Sequence, residues 1–307
     1  MLLLAALPGA FAQTPAAATP PATVAALYAG EWDDIGPQYL LVPKAPRAAR
    51  FAAWAQADLS SSDNATFSEV SPRSSTLTSL QAGLEARLMG STLAGGKLTI
   101  DGGLRGQLFR YGLLDDASKV IDFLQVDRNN FDLVGSHARA VWQRGSWLAE
   151  STLQGSLMRN RRASRTFYRD LGWSISLYHQ WKLAGRSTLS LGMELGRRWT
   201  WTDSYGLLPS SWNDRLEASL AAIWTRPLRP GLSWRITARA HHALYTRSDR
   251  HRSDITGTLG TELGWTLREN LELRFYVAHE RRDSTELAMP DYSRWDAGSG
   301  AGLRWSF

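Results

Sequence analysis

The chain is expected to be all-β, an antiparallel up-and-down transmembrane barrel of about twelve strands. Three observations predict it. Apolar and polar residues alternate with period two, the alternating segments are long, and the connections between them alternate between tight and extended. The segments fall near 50–60, 76–89, 97–111, 131–142, 147–158, 166–182, 187–199, 213–226, 231–245, 254–267, 271–283 and 293–307. In the second, Leu80, Ala82, Leu84, Ala86 and Leu88 alternate with Gln81, Gly83, Glu85 and Arg87. In the third, Leu98, Ile100, Gly102 and Leu104 alternate with Thr99, Asp101, Gly103 and Arg105. The sixth and ninth repeat the pattern through Leu171, Trp173, Ile175 and Leu177, and through Leu232, Trp234, Ile236, Ala238 and Ala240. Segment length decides between architectures. A tilted strand needs about 9–11 residues to cross the hydrocarbon, whereas strands of soluble sheets usually run about 5–6.

The connections give a second test. Those at 143–146, 183–186, 227–230 and 268–270 are tight, and the one at 91–96 is expected to be a little longer. Those at 61–75, 112–130, 159–165 and 201–212 are longer and polar. Such alternation is expected of periplasmic turns and outer loops, and an even strand number puts both termini on the periplasmic side. Trp is abundant, at 14 residues, and Trp142, Trp147, Trp181, Trp199, Trp224, Trp265, Trp295 and Trp305 fall near segment ends. Amphipathic rings there read as girdles at headgroup depth.

Residues 1–12 read as a secretory signal: a short apolar run, then Ala10-Phe11-Ala12, a small-x-small cleavage site. Residues 13–48 open with a Pro/Ala-rich stretch, contain a short helical pattern from Thr23, and are expected to be a periplasmic segment or partial plug. The barrel is assigned residues 49–307. The chain has no Cys, which excludes disulfides and thiolate sites. A formal charge of +6 is dispersed along the strands beside Asp and Glu, so no nucleic-acid partner is expected.

The last strand, Trp295 to Phe307, carries an apolar or small residue at every second position back from Phe307, Trp305 among them. It resembles the C-terminal signal of Gram-negative outer-membrane barrels, and with the signal peptide and strand pattern the chain is similar to that broad class. The resemblance implies outer-membrane lipids as surroundings and a barrel-assembly machinery that engages Trp305 and Phe307 by edge pairing. It also leaves room for a periplasmic partner of residues 13–48.

If the apolar set of each strand faces lipid, the other set lines the lumen, because Arg or Lys toward mid-bilayer costs about 2–4 kcal/mol. The lumen-lining set then comprises Glu85 and Arg87 on the second segment, Asp101 and Arg105 on the third, Arg139 on the fourth and Glu150 on the fifth. It continues through Asp170 and Tyr178, Glu194, Glu217, Arg235 and Arg239. Glu262, Arg274, Tyr276, Asp296 and Arg304 complete it. The two signs nearly balance, so the charges serve either as cross-strand pairs that stiffen the wall or as opposed ladders around a pore. Tyr168, Tyr178 and Tyr276 are expected to offer stacking surfaces to sugars.

Catalysis is not expected. No His of a strand has Ser two residues away, the spacing that shares a face within one strand. His251 lies two residues from Asp249 and Ser253, and Asp115-Asp116 sits in the longest loop; both read as solvated loop groups. There is no metal spacing, phosphate loop or dinucleotide fingerprint, so no cofactor is predicted. The leading expectation is a porin-like channel for passive passage of small polar solutes, saccharides included. The competing expectations are an export barrel for an envelope polysaccharide or secretion system and a non-conducting structural or adhesive barrel.

Overall fold

The computed structural model describes residues 50–65, 74–112, 130–160, 165–202, 211–248, 251–286 and 291–306. The assigned signal and N-terminal segment, Asp115, Asp116, Asp249 and Phe307 lie outside them. The first six strands are β1 (Phe51–Ser62), β2 (Ser75–Leu93), β3 (Gly96–Tyr111), β4 (Phe131–Arg144), β5 (Trp147–Asn160) and β6 (Arg165–Lys182). The others are β7 (Thr188–Thr202), β8 (Arg215–Arg229), β9 (Leu232–Tyr245), β10 (Ser253–Arg268), β11 (Leu271–Ser284) and β12 (Tyr292–Ser306). Each pairs antiparallel with its neighbours in sequence, and β1 pairs with β12 from Ala52–Ser306 to Ser62–Asp296, which closes a twelve-stranded barrel. Closure satisfies every strand edge, a requirement for β-structure in lipid.

The outside is apolar. Leu84, Leu104, Val134, Ile175, Leu195, Leu220, Leu259 and Phe275 all project from it and are exposed. No folded soluble protein leaves so large a contiguous apolar surface in water. Trp147, Trp181, Trp265 and Trp305 project outward at the end of the barrel that carries the short turns, called here the turn end. Trp199, Trp201 and Trp295 do so at the opposite, loop end.

The turns follow from local chemistry. The β2–β3 connection is not longer than the others: it is the two-residue turn Ala94-Gly95, with φ of 50° and 73°. Positive φ at both central positions matches the right-handed twist of the paired strands. β2 reaches this turn by way of a bulge between Arg87 and Met89, where the pairing register against β3 shifts by one residue. The bulge puts Leu88 and Met89 both on the outer, exposed surface. Gly145 and Gly231, at φ of 57° and 76°, serve the β4–β5 and β8–β9 turns.

Candidate functional site

The inward face of the barrel carries the polar chemistry. Asp58 on β1, Glu85 on β2, Asp101 on β3 and Arg139 on β4 are all buried on it, as are Asp170 and Arg198 on β6 and β7. Arg235, Glu262, Arg274, Asp296 and Arg304 continue the set around β9 to β12. Arg87 faces Asp101 in the β2–β3 register, Arg105 lies over Gly135, and Glu217 and Arg239 project inward on β8 and β9.

These groups form networks that lie along the wall. Arg139 donates to both carboxylate oxygens of Asp101, from Nε at 3.0 Å and Nη2 at 3.2 Å. Arg274 on β11 reaches past β12 to Asp58 on β1, with Nη2 at 2.5 Å and Nε at 3.0 Å from Oδ1. Gly300 of β12 makes this crossing possible, because a Cβ there would collide with Asp58 and press on Arg274. The chain of charges runs on from Arg274 to Glu262, 3.9 Å away, and from Glu262 to Arg235 at 2.7 Å. Arg304 on β12 likewise spans β1 to reach Glu85 on β2 at 3.0 Å. Across β6 to β8, Arg198 joins Asp170 at 2.6 Å to Glu217 at 3.1 Å, and Arg215 adds a second cation at 2.7 Å from Glu217. At the loop end Asp254 holds Arg252 and Arg282, while Arg294 holds Glu280 at 2.7 Å and Asp296 at 3.3 Å. Guanidinium–carboxylate pairs of this geometry are strong where water is scarce.

Not every predicted group is absorbed in this way. Among the described residues, the side chains of Arg87, Arg105 and Glu194 make no hydrogen bond or ion pair, and that of Glu150 only accepts one from Thr152 Oγ1 at 2.9 Å. The tyrosines expected to stack on sugars are inward but covered. Tyr168, Tyr178 and Tyr276 are 0%, 5% and 6% exposed. Tyr178 lies flat on Gly192, directly opposite in the register, and the Tyr276 hydroxyl sits over Gly298 opposite it while Arg274 stands 5.4 Å from the Tyr276 ring centroid. Trp54 covers Gly83 and His137 covers Gly103 in the same manner.

Two inward features are not legible in the alternation pattern. The first is an apolar cluster at the loop end, in which Leu77, Phe109, Phe131, Leu133 and Met158 pack with three tyrosines. Phe109 and Phe131 stack with centroids 4.6 Å apart. The second is Ser219 on β8, whose Oγ is 2.8 Å from His241 Nδ1 and accepts from Arg239 Nη2 at 3.1 Å. Outward, His242 meets Ser253 at 2.7 Å and His279 meets Ser293 at 2.9 Å. All three pairs form between strands, so spacing within a strand is silent about them; counting outward from the β8–β9 turn sets Ser219 against His242, and it is the bulge between Pro227 and Arg229 that shifts the register by one and brings Ser219 to His241. His251 is exposed beyond the end of β9.

The closed twelve-strand wall, apolar outside and ion-paired inside, is the fold of the bacterial outer-membrane β-barrels. An outer membrane channel from Pseudomonas putida F1 matches with a TM-score of 0.54 at 12% identity, covering 86% of this chain and 98% of that one. The beta domain of the Bordetella autotransporter BrkA matches with a TM-score of 0.46 at 15% identity, covering 84% of this chain and 100% of that one. The KdgM porin in complex with disordered oligogalacturonate matches at 0.39 and 11%, covering 83% and 99%. No protein-family model and no curated protein matches the chain. An outer-membrane barrel needs a lipid-facing belt and a protected interior; the alternation of these strands supplies both.

Proposed function

We propose that this outer-membrane barrel is a narrow channel for passive passage of small polar solutes, saccharides among them, with both termini periplasmic and the long loops outside. The observation that carries the reading is the inward face: it is charged or polar on all twelve strands, and most of its charges are laid against the wall in pairs. The named pairs run between neighbouring or next-neighbouring strands and not across the barrel, and twelve strands lie between the filled eight-strand barrels and the wide sixteen-strand porins. Arg139 Nη1, Arg304 Nη1 and Gln56 Oε1 are buried without a protein partner. Buried polar atoms take hydrogen bonds from ordered water when protein offers none. The Pseudomonas barrel of the same fold is itself a channel.

Near-cancellation of wall charge predicts weak ion selectivity. Arg87, Arg105, Glu150 and Glu194, which are outside the ion-pair networks, are the groups that set what remains of it. Single-channel recording in planar bilayers tests the reading. Small discrete steps with weak selectivity are expected, and Glu194→Gln should shift reversal potentials toward anions. A folded, inserted barrel with no steps at all rejects the channel and turns attention to export through a partner.

A further inference from the structure

The outer surface is not uniformly apolar. Near the loop end, two rows of outward residues cross β3 to β7. In the lower row Leu104, Ser136 and Gly155 stand opposite one another in the register. In the upper row Val134, Leu157, Arg169 and Trp201 do the same. Ser136 and Gly155 are small, and the side chains around them are large and exposed, so the surface sinks into a groove of about 800 Å³ with Arg169 and Trp201 at one end. That volume is of the size that holds a small ligand.

The charges beside the groove are out of balance. Arg169 and Arg159 project outward from adjacent strands, both exposed, and neither side chain has a hydrogen bond or ion pair among the described residues. Arg197 stands lower on β7 against the Trp199 ring, 5.7 Å from its centroid. The facing carboxylate is Asp132, and Arg110 already occupies it at 2.5 Å. The opposite sector differs: on β9 to β12 the outward polar groups near the loop end satisfy one another, as in Arg281–Asp283, His242–Ser253 and His279–Ser293. Arginines left facing lipid at this depth need an anion, and the bilayer supplies one as phosphate, which a guanidinium binds in bidentate fashion.

We propose that this groove binds a phosphate-bearing, acylated lipid of the surrounding leaflet. An acyl chain lies over Ser136 and Gly155, between Leu104, Val134 and Leu157. Arg169 and Arg159 hold the phosphate, with Trp201 packed at headgroup depth. This site is on the outside of the wall and does not depend on whether the bore conducts.

The test uses the full chain, purified in detergent and mixed with lipid A, a phosphorylated and multiply acylated disaccharide, or with the same lipid stripped of phosphate. Native mass spectrometry reads the adducts. Wild type should retain lipid A over the phosphate-free form by about tenfold. Arg159→Glu with Arg169→Glu should abolish that preference while gel migration still shows a heat-modifiable, folded barrel. Gly155→Leu, which fills the groove, should reduce adducts of both forms. Equal retention of the two lipids by wild type overturns the proposal without recourse to any variant, as does an unchanged preference in the double Arg variant.

Discussion

At the residue scale the wall is stiffened by two devices: large rings laid over glycines, and ion pairs that cross an intervening strand. Both depend on the absence of a side chain beneath. The Tyr178 ring occupies the space a Cβ at Gly192 would need, so Gly192→Val forces the ring or the strand aside. Overpacking of this kind costs about 1–3 kcal/mol, and the midpoint of urea unfolding from lipid vesicles should fall accordingly. Gly90, whose Cβ would meet nothing within 4 Å, is the control; Gly90→Ala should leave the midpoint nearly unchanged. Arg274 faces the same logic from the charge side. Arg274→Ala leaves Asp58 without its cation in a protected interior and Glu262 with Arg235 alone, a loss of about 3–5 kcal/mol. If Arg274→Ala proves harmless, the networks are ornaments of a well-hydrated wall and not its braces.

At the scale of strands and turns, period two does most of the work. A strand that is apolar at every second position has one face for lipid, and a slip of one residue would turn every charge outward. Leu153 is exposed at the middle of β5, between inward Thr152 and Gln154. Leu153→Arg should therefore cost about 2–4 kcal/mol in vesicle refolding, as a cation at mid-depth does. Gln154→Arg, one residue along on the inward face, should cost far less; equal losses would show that β5 is not held in this register. The strand boundaries were legible to within a few residues because turn chemistry marks them. The β2–β3 turn was not, because the bulge at Leu88 lets β2 run on to Leu93, and a bulge arises from pairing between strands.

At the scale of the whole molecule, closure of β1 on β12 joins residues more than two hundred positions apart, and only then do Arg274 and Asp58, and Arg304 and Glu85, meet. Closure also gathers the apolar cluster on one side of the loop end, where the Phe109 and Phe131 rings thicken the wall. If this cluster narrows the bore, Phe109→Ala with Phe131→Ala raises single-channel conductance without altering ion selectivity, because no charge changes. Conductance unaffected by the pair of substitutions would move the narrowest point to the charged middle of the barrel.

Alternation, strand length and turn spacing by themselves determined that this chain forms long antiparallel strands with one apolar face, because those properties are local and period two admits one assignment of faces per strand. Which Arg meets which carboxylate was decided only by the tertiary structure. Arg274 finds Asp58 because β12 places Gly300 between them, and Ser219 finds His241 because two strands share a register. The inward apolar cluster and the outward groove around Gly155 have the same origin: each is assembled from single residues of several strands, and no one strand carries its signature.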